Sequence, residues 1–564
     1  MRNRINKSII WIIILSLIVL LPNIYLAFYG SDLAGQFTKT IMFLGMSLLI
    51  FFIPALFLNW RYFFLFHGIF VILSPIEIVH ITLNRLPVTY AFLMDIFSTN
   101  VSEAMGLFSS SLFYILLYFS VLIFFFIVSF TKIQKVKVFH NIKLKLIFVF
   151  LFVFYCIAGF VYYYKYNTYI VEDKDRLYSE TIKTFSYKFH KIYPYDLIIQ
   201  THKLISINQE VKKAEKITNN FSFGAIQVDN SQQKEVYVFV IGETARYNNF
   251  SLNGYDRLTS PNLDKKSNLV SFDDFISEGN GTVISLPQIL FRVDSENNQK
   301  AMYEKSFVDA FKEAGYKTYW IANQSGSYSF IRRIAKNTDE SHITTTELGK
   351  SSNYDEDLLP FLDKILMKND NKVLIVIHSS GSHFKYSDRY PKKFDVFQPN
   401  IGNLYKPSLI SPKNKELFIN AYDNSILYTD YFLSKIIDKI DSLDCVSSFV
   451  YLSDHGENLY DTEDNVMFHA RTVITKYDYH VPLFIWYSNE YQNNYKRKIE
   501  SLINNKRKPI SVRYIFHSML DMASITFPEQ VLQKSIFSDK MQSDTIRYVI
   551  NPNKERLIYE NLPE

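Results

Sequence analysis

The sequence predicts an α/β chain with an N-terminal domain of five transmembrane helices followed by an α/β/α domain. Three observations predict it. Apolar stretches of bilayer length recur through the first 165 residues. Beyond residue 235, apolar strand-like runs alternate with helical stretches. The first of those runs, Val236 to Ile241, is unbroken, as in a strand buried on both faces.

Composition bounds the reading. At 564 residues the chain is too long for one compact core. Aromatic residues make up 16%, with 49 Phe and 40 Tyr, and Phe and Ile crowd the N-terminal part. A net charge of +6, with no basic block interleaved with aromatics, argues against nucleic acid as a partner. Two cysteines, Cys156 and Cys445, cannot make a disulfide framework.

The spans fall at about 8–28, 40–58, 62–81, 112–130 and 144–163. Arg2, Arg4 and Lys7 precede the first, as in a signal peptide, but its apolar run is too long and no small-residue cleavage site follows. His67, Pro75, Glu77 and His80 interrupt the third. The loop between spans four and five carries Lys132, Lys135, Lys137, Lys143 and Lys145, so with the basic N-terminus it belongs in the cytoplasm. Five crossings then put everything after Tyr163 outside, which in a two-membrane bacterium is the periplasm. The outward loop 84–111 holds Asp95, Thr99 and Glu103 on one helical face. Such a stripe can touch a lipid headgroup, although spacing alone favours a solvated face.

Residues 165–234 are polar and rich in Tyr and Lys, with weak helical periodicity. They read as a connector of one or two interfacial helices, followed by a looser segment from Asn208 to Lys234. The domains expected are therefore 1–164, transmembrane; 165–234, connector; and 235–564, a soluble domain on the outer side.

In the soluble domain the strand-like runs are Tyr237–Ile241, Tyr316–Ala322, Val373–His378, Ser447–Leu452 and Val481–Trp486, with helices such as Tyr303–Ala314 and Asn420–Ser442 between them. Four runs lead into chemically able residues: Gly242-Glu243-Thr244, Asn323-Gln324-Ser325, His378 to His383, and Ser453 to Glu457. In a parallel sheet these strand ends converge on one edge. Asp454-His455 is the sharpest element, a carboxylate and an imidazole after a buried strand, followed by Gly456. These are good Zn²⁺ ligands, and Glu243 can supply a third. An isolated Asp-His pair is usually a surface turn; the four convergent clusters favour the metal. Thr282, after Gly279 and Gly281, offers a hydroxyl that is either a nucleophile or a helix cap.

Together these segments resemble the phosphoethanolamine transferases that modify bacterial lipopolysaccharide. That group includes the lipid A, Kdo- and heptose-modifying enzymes and the mobile colistin-resistance enzymes, which confer polymyxin resistance, and belongs to the alkaline phosphatase/sulfatase superfamily. GETAR at 242–246 with NGYDRLTSPNL at 253–263 is similar to the first metal motif. GTVISLP at 281–287 is similar to the nucleophile segment, GSHFKYSDRYP at 381–391 to the substrate-histidine motif, and INAYDNSILYTD at 419–430 to a long helix. SDHGENL at 453–459 resembles the second metal motif, and Phe468-His469 stands where another active-site histidine is expected.

The resemblance implies an inner-membrane, multi-pass, monomeric enzyme whose catalytic domain is an α/β/α sandwich of alkaline phosphatase/sulfatase type in the periplasm. It implies that Glu243, Thr282, Asp454 and His455 hold Zn²⁺, and that Thr282 is the nucleophile. His383 and His469 would bind the phosphoryl oxygens or a second metal, and Ser325, Asp95, Thr99 and Glu103 would lie on the substrate side. Phosphoethanolamine would pass from phosphatidylethanolamine to Thr282 and then to lipopolysaccharide. Three departures stand out: Tyr328 replaces a lysine common in the lipid A enzymes, the soluble domain has a single cysteine, Cys445, and the segment between His455 and His469 is slightly longer than usual. The competing readings are a phosphoglycerol transferase of the lipoteichoic-acid type and a non-catalytic membrane receptor.

Overall fold

The apolar N-terminal runs are helices, because a segment in hydrocarbon must satisfy its backbone polar groups internally. The computed structural model describes residues 2–29, 37–84, 87–88, 93, 112–133, 136, 139, 141–167, 178, 181–182, 185, 191–218, 220–228, 233–293, 298–324, 329–343, 354–402, 411–463, 465–471, 473–552 and 554–564. The chain divides into two units, Met1–Ile96 with Phe108–Ile207, and Phe97–Leu107 with Asn208–Glu564.

In the first unit the described helices are α1 (Arg2–Tyr29), α2 (Phe37–Phe51), α3 (Trp60–Asn84), α4 (Leu112–Thr131), α5 (Ile142–Asn167) and the start of α6 (Tyr195–Thr218). Four stretches are long and apolar enough to cross a membrane: Ile9–Tyr29, Phe37–Leu56, Trp60–Thr82 and Ile142–Lys165. Helix α4, of 20 residues, occupies the expected fourth span. The chain is thus a multi-pass membrane protein. Helices α1 to α4 share a core of Leu15, Val19, Phe51, Phe63, Phe64, Val71 and Phe125. The opposite flank of α1 points Ile13, Leu17 and Leu21 outward, each about half exposed, as a lipid-facing stripe does. A polar pin fixes the other end of the bundle: the Asn23 amide donates to Tyr193 O at 2.7 Å and accepts from Tyr193 N–H at 2.9 Å.

One expectation is corrected. The looser segment from Asn208 is helical as far as Thr218, because α6 runs through it. Glu210, Lys212, Lys213, Ala214, Glu215 and Lys216 are strong helix formers, and that local propensity outweighs the polar composition.

The second unit is built on a seven-stranded sheet. Its strands are β1 (Glu235–Gly242), β2 (Leu269–Ser271), β3 (Lys317–Ala322), β4 (Glu340–Ile343), β5 (Lys372–His378), β6 (Val446–Ser453) and β7 (Leu483–Tyr487), in the order β2-β7-β6-β1-β5-β3-β4. Only β7 runs against the rest. The sheet is therefore mainly parallel, as the alternation of strands and helices requires, and the short edge strands β2 and β4 carry too few apolar residues to be read from sequence.

Helices cover both faces. Tyr237, Phe239 and Ile241 of β1 pack on one side with α7 (Thr282–Leu290), α8 (Phe307–Glu313) and α11 (Ile515–Met522). Val236, Val238 and Val240 pack on the other with α9 (Leu359–Leu366) and the 27-residue α10 (Lys415–Asp441). All eight residues of β1 are buried, which is why its sequence does not alternate. Helix α8 begins at Phe307 rather than Tyr303, because Ser306 and Asp309 form a capping box there.

His517 in α11 makes the second unit sensitive to acid. Its Nδ1 accepts from Val531 N–H at 3.3 Å and its ring stacks on Phe527, so it is held neutral. Burial, followed by the charges of Lys534 and Arg292, pushes its pKa down to about 3. The unfolded chain, with a His pKa of about 6.5, binds more protons between those values. Stability is therefore complete above about pH 6.5 and is lost as pH falls toward 3. His517→Gln should flatten the acid side of a plot of melting temperature against pH; an unchanged slope counts against this origin.

Candidate active site

Register brings the site together. Ile241 lies level with His378 on one side and with Leu452 on the other, and Ala322 pairs with His378. The carboxyl ends of β1, β3, β5 and β6 therefore stop at one height, so the residues that follow them meet. Glu243 follows β1, Gln324 follows β3, Ser379 to His383 follow β5, and Asp454-His455 follow β6.

Glu243, Asp454 and His455 are all buried, and each offers a ligand atom within 4.8 Å of the others. His455 Nε2 lies 3.2 Å from Glu243 Oε1 and 3.5 Å from Asp454 Oδ2. His455 Nδ1 faces Gly456 O at 2.9 Å, which assigns the proton to Nδ1 and aims Nε2 at the acids. Thr282 is the first residue of α7, with Gly281 as its extended N-cap. Its Oγ1 stands 3.2 Å from both Glu243 oxygens and 3.3 Å from His455 Nε2.

This group fits a metal ion. Asp454 Oδ2 is buried without a hydrogen-bond partner. Two buried carboxylates, a hydroxyl and the His455 Nε2, once a cation displaces its proton, form an N/O donor set that suits Zn²⁺. Burial and the neighbouring Glu243 charge push Asp454 up to about 8. Burial also opposes the charged form of Glu243, but the His455 hydrogen bond, the charges of His455 and His383, and Gln324 hold it well below the usual carboxylate range. Burial opposes the charged form of His455, yet Asp454 and Glu243 raise it to about 10. Without a cation, that proton is what balances the acids.

His469 and His383 form the outer wall. Glu243, His383 and His469 also have ligand atoms within 4.8 Å of one another. The rings of His455 and His469 lie 4.0 Å apart, and those of His383 and His469 lie 5.9 Å apart. His469 is held neutral, its pKa pushed well below the usual value by burial and by the His455 charge.

Of the residues expected at the site, the structure brings together Glu243, Thr282, Asp454, His455, His383 and His469. Asp95, Thr99, Glu103 and Ser325 lie outside the described residues, as does Tyr328. Thr244, the other hydroxyl beside Glu243, donates to Glu243 Oε1 at 2.9 Å and accepts no helix N–H.

Three residues with positions at the site had no role in the sequence reading. The Gln324 amide donates to Glu243 Oε2 at 2.8 Å and to Ser379 O at 2.9 Å. Buried Glu457 accepts from Tyr386 OH at 2.9 Å and lies 3.2 Å from His469 Nδ1, fixing that ring. Gly381 has φ +50°, and a Cβ there would stand 2.6 Å from Glu243 O. Gln324, Glu457 and Gly381 all lie inside the strand-end clusters, which was the available signal.

Residues 235–525 match the sulfatase family model, and residues 86–180 match the model described as phosphoethanolamine transferase EptA/EptB. Phosphoethanolamine transferase EptC of Escherichia coli K12 is 27% identical over 354 residues, 59% of this chain and 59% of that protein. EptA of the same strain is 31% identical over 276 residues, 48% of this chain and 49% of that protein. The matches thus span about three fifths or less of these relatives' lengths. Among solved structures, the periplasmic domain of E. coli EptC in complex with Zn has a TM-score of 0.54 at 26% identity, covering 60% of this chain and 96% of that one. The integral membrane protein lipooligosaccharide phosphoethanolamine transferase A of Neisseria meningitidis has a TM-score of 0.73 at 20% identity. It covers 92% of this chain and 98% of that one, which establishes the fold.

Two glycines separate backbone strain from contact at Glu243. Gly315 has φ +89° with open space around it, whereas Gly381 has φ +50° and lies against Glu243. Gly315→Ala should cost about 1–3 kcal/mol from the left-handed backbone alone. Gly381→Ala should cost more than that. Chemical denaturation of both variants measures the difference, and equal losses would show that the Glu243 contact carries no weight.

Proposed function

The chain belongs to the sulfatase family, and on that premise we propose that it is a zinc-dependent phosphoethanolamine transferase of the inner membrane. It moves phosphoethanolamine from phosphatidylethanolamine to lipopolysaccharide, on the periplasmic side. One observation carries the reading: the Thr282 hydroxyl stands within 3.2–3.3 Å of Glu243 and His455 at the amino end of α7. The similarity to the EptA and EptC enzymes supports the substrate class, and the Zn complex of the E. coli EptC domain supports the metal.

Glu243, Thr282, Asp454 and His455 would hold the zinc, which supplies positive charge that makes the Thr282 alkoxide accessible near neutral pH. Thr282 Oγ1 attacks the phosphorus of phosphatidylethanolamine. A P–O bond forms to Thr282, the P–O bond to the glycerol breaks, and diacylglycerol leaves with a proton. An acceptor oxygen on lipopolysaccharide then displaces Thr282, restoring its hydroxyl. His383 and His469 face the phosphoryl oxygens, with Glu457 orienting His469. The backbone N–H groups at the start of α7 point at the same anion. Asp95, Thr99, Glu103 and Ser325 are proposed contacts to the headgroup.

Thr282→Ala should reduce transfer below detection while leaving the melting temperature within a few degrees. A phosphoethanolamine adduct should appear by mass spectrometry on the peptide that holds Thr282. An adduct on Thr244 or Ser285 would move the nucleophile, and a glycerophosphate adduct would favour the phosphoglycerol transferase.

Mass spectrometry of lipopolysaccharide from cells with and without the gene should show loss of one phosphoethanolamine, and the fragment carrying it names the acceptor. Identical lipopolysaccharide in the two strains counts against this substrate class.

A further inference from the structure

Asp355 opens a short turn, Asp355–Leu358, and is 4% exposed. Its carboxylate accepts three hydrogen bonds. Ser380 N–H donates to Oδ1 at 2.7 Å, Gly381 N–H donates to Oδ2 at 3.0 Å, and the Asn323 amide donates to Oδ1 at 3.2 Å. The turn itself is anchored, because Tyr428 OH in α10 accepts from Glu356 N–H at 2.9 Å.

The same turn that Asp355 grips leans on Glu243. Ser382 N–H donates to Glu243 O at 2.9 Å, and Gly381 has no room for a Cβ against that peptide. The loop Ser379–Ser382 is thus fixed between the Asp355 carboxylate and the Glu243 main chain, and His383 follows it directly. We infer that Asp355 is a positioning residue, whose carboxylate sets the placement of His383 relative to Glu243 by holding the backbone of residues 380–381. This rests on the reading that His383 contacts the transferred phosphoryl group.

A carboxylate accepts at both oxygens, whereas Asn offers one acceptor and one donor. Asp355→Asn therefore turns an N–H group toward a backbone N–H and breaks one grip without changing size. The test measures diacylglycerol release from phosphatidylethanolamine in mixed micelles by the full-length, zinc-loaded protein, as a double-mutant cycle. Asp355→Asn should lower kcat/KM about 10- to 100-fold, as loss of an orienting partner does, with zinc content unchanged. In the His383→Ala background the same change should cost less than about twofold, because the residue it positions is gone. Losses that multiply in the double variant, wild-type activity of Asp355→Asn, or loss of zinc from it would each overturn the inference. Full activity of His383→Ala would instead overturn the reading of His383 on which it stands. Should Asp355→Asn fail to fold by near-ultraviolet circular dichroism, the cycle is run with Asp355→Glu, which keeps the charge but displaces both acceptors from residues 380–381, and is judged by the same criteria.

Discussion

The site depends on the burial of two carboxylates, Glu243 and Asp454, within reach of one imidazole. Ionised acids in a protein interior are costly unless they are paired and hydrogen-bonded. Glu243 receives hydroxyl donors from Thr244 and Thr282 and an amide donor from Gln324. Asp454 Oδ1 accepts from the backbone N–H groups of Thr244 and His455. Asp454 Oδ2 has no hydrogen-bond partner, and the imbalance points toward a cation at that spot. The arrangement costs stability in the metal-free state, and binding a cation would offset that cost.

Helix α10 makes the arrangement rigid from the far side of the sheet. Tyr422 OH donates to Thr244 O at 2.7 Å and accepts from Arg246 N–H at 2.9 Å, so the residues after Glu243 are held by a helix rather than by their own loop. The next residue, Asp423, accepts from Asn249, Tyr255 and Arg257, and about two turns on Asp430 accepts from Asn262 and Leu263. Together these bonds bind the stretch from 244 to 263 to one rigid rod. That is the physical content of the long-helix motif: its polar residues face inward to satisfy a loop whose own regular structure amounts to short 3-10 turns.

The parts of this molecule that were legible in the sequence are those written locally. Val236–Ile241 shows its burial in six consecutive residues, and Asp454-His455-Gly456 shows its chemistry in three. The parallel sheet followed from alternation, and its register then placed the strand ends level. What stayed hidden was pairing across distance. Gln324 reaches Glu243 over 81 residues and Tyr386 reaches Glu457 over 71, and nothing in either local sequence announces the partner. The antiparallel sense of β7 was hidden too, since an apolar pentapeptide reads the same in both directions. The helical end of α6 was missed because polar composition was given more weight than helix propensity.

Some of the strained backbone lies against the site. Thr244 has φ +60°, Phe468 +68° and Ala470 +55°, and none of them is glycine. Each such residue costs about 1–3 kcal/mol unless its surroundings over-determine it. Here they do. Thr244 N–H is held by Asp454 Oδ1, Phe468 N–H by Asn458 O at 2.9 Å, and Ala470 N–H by Asn280 O at 2.8 Å. The last two bracket His469, so the histidine ring is aimed by its neighbours' backbone. Asn280 belongs to the loop that ends in Thr282, so the bond to Ala470 ties the Thr282 segment to the His469 segment. Thr282 and His469 are thereby set against each other through a main-chain hydrogen bond, which side-chain rotation cannot loosen.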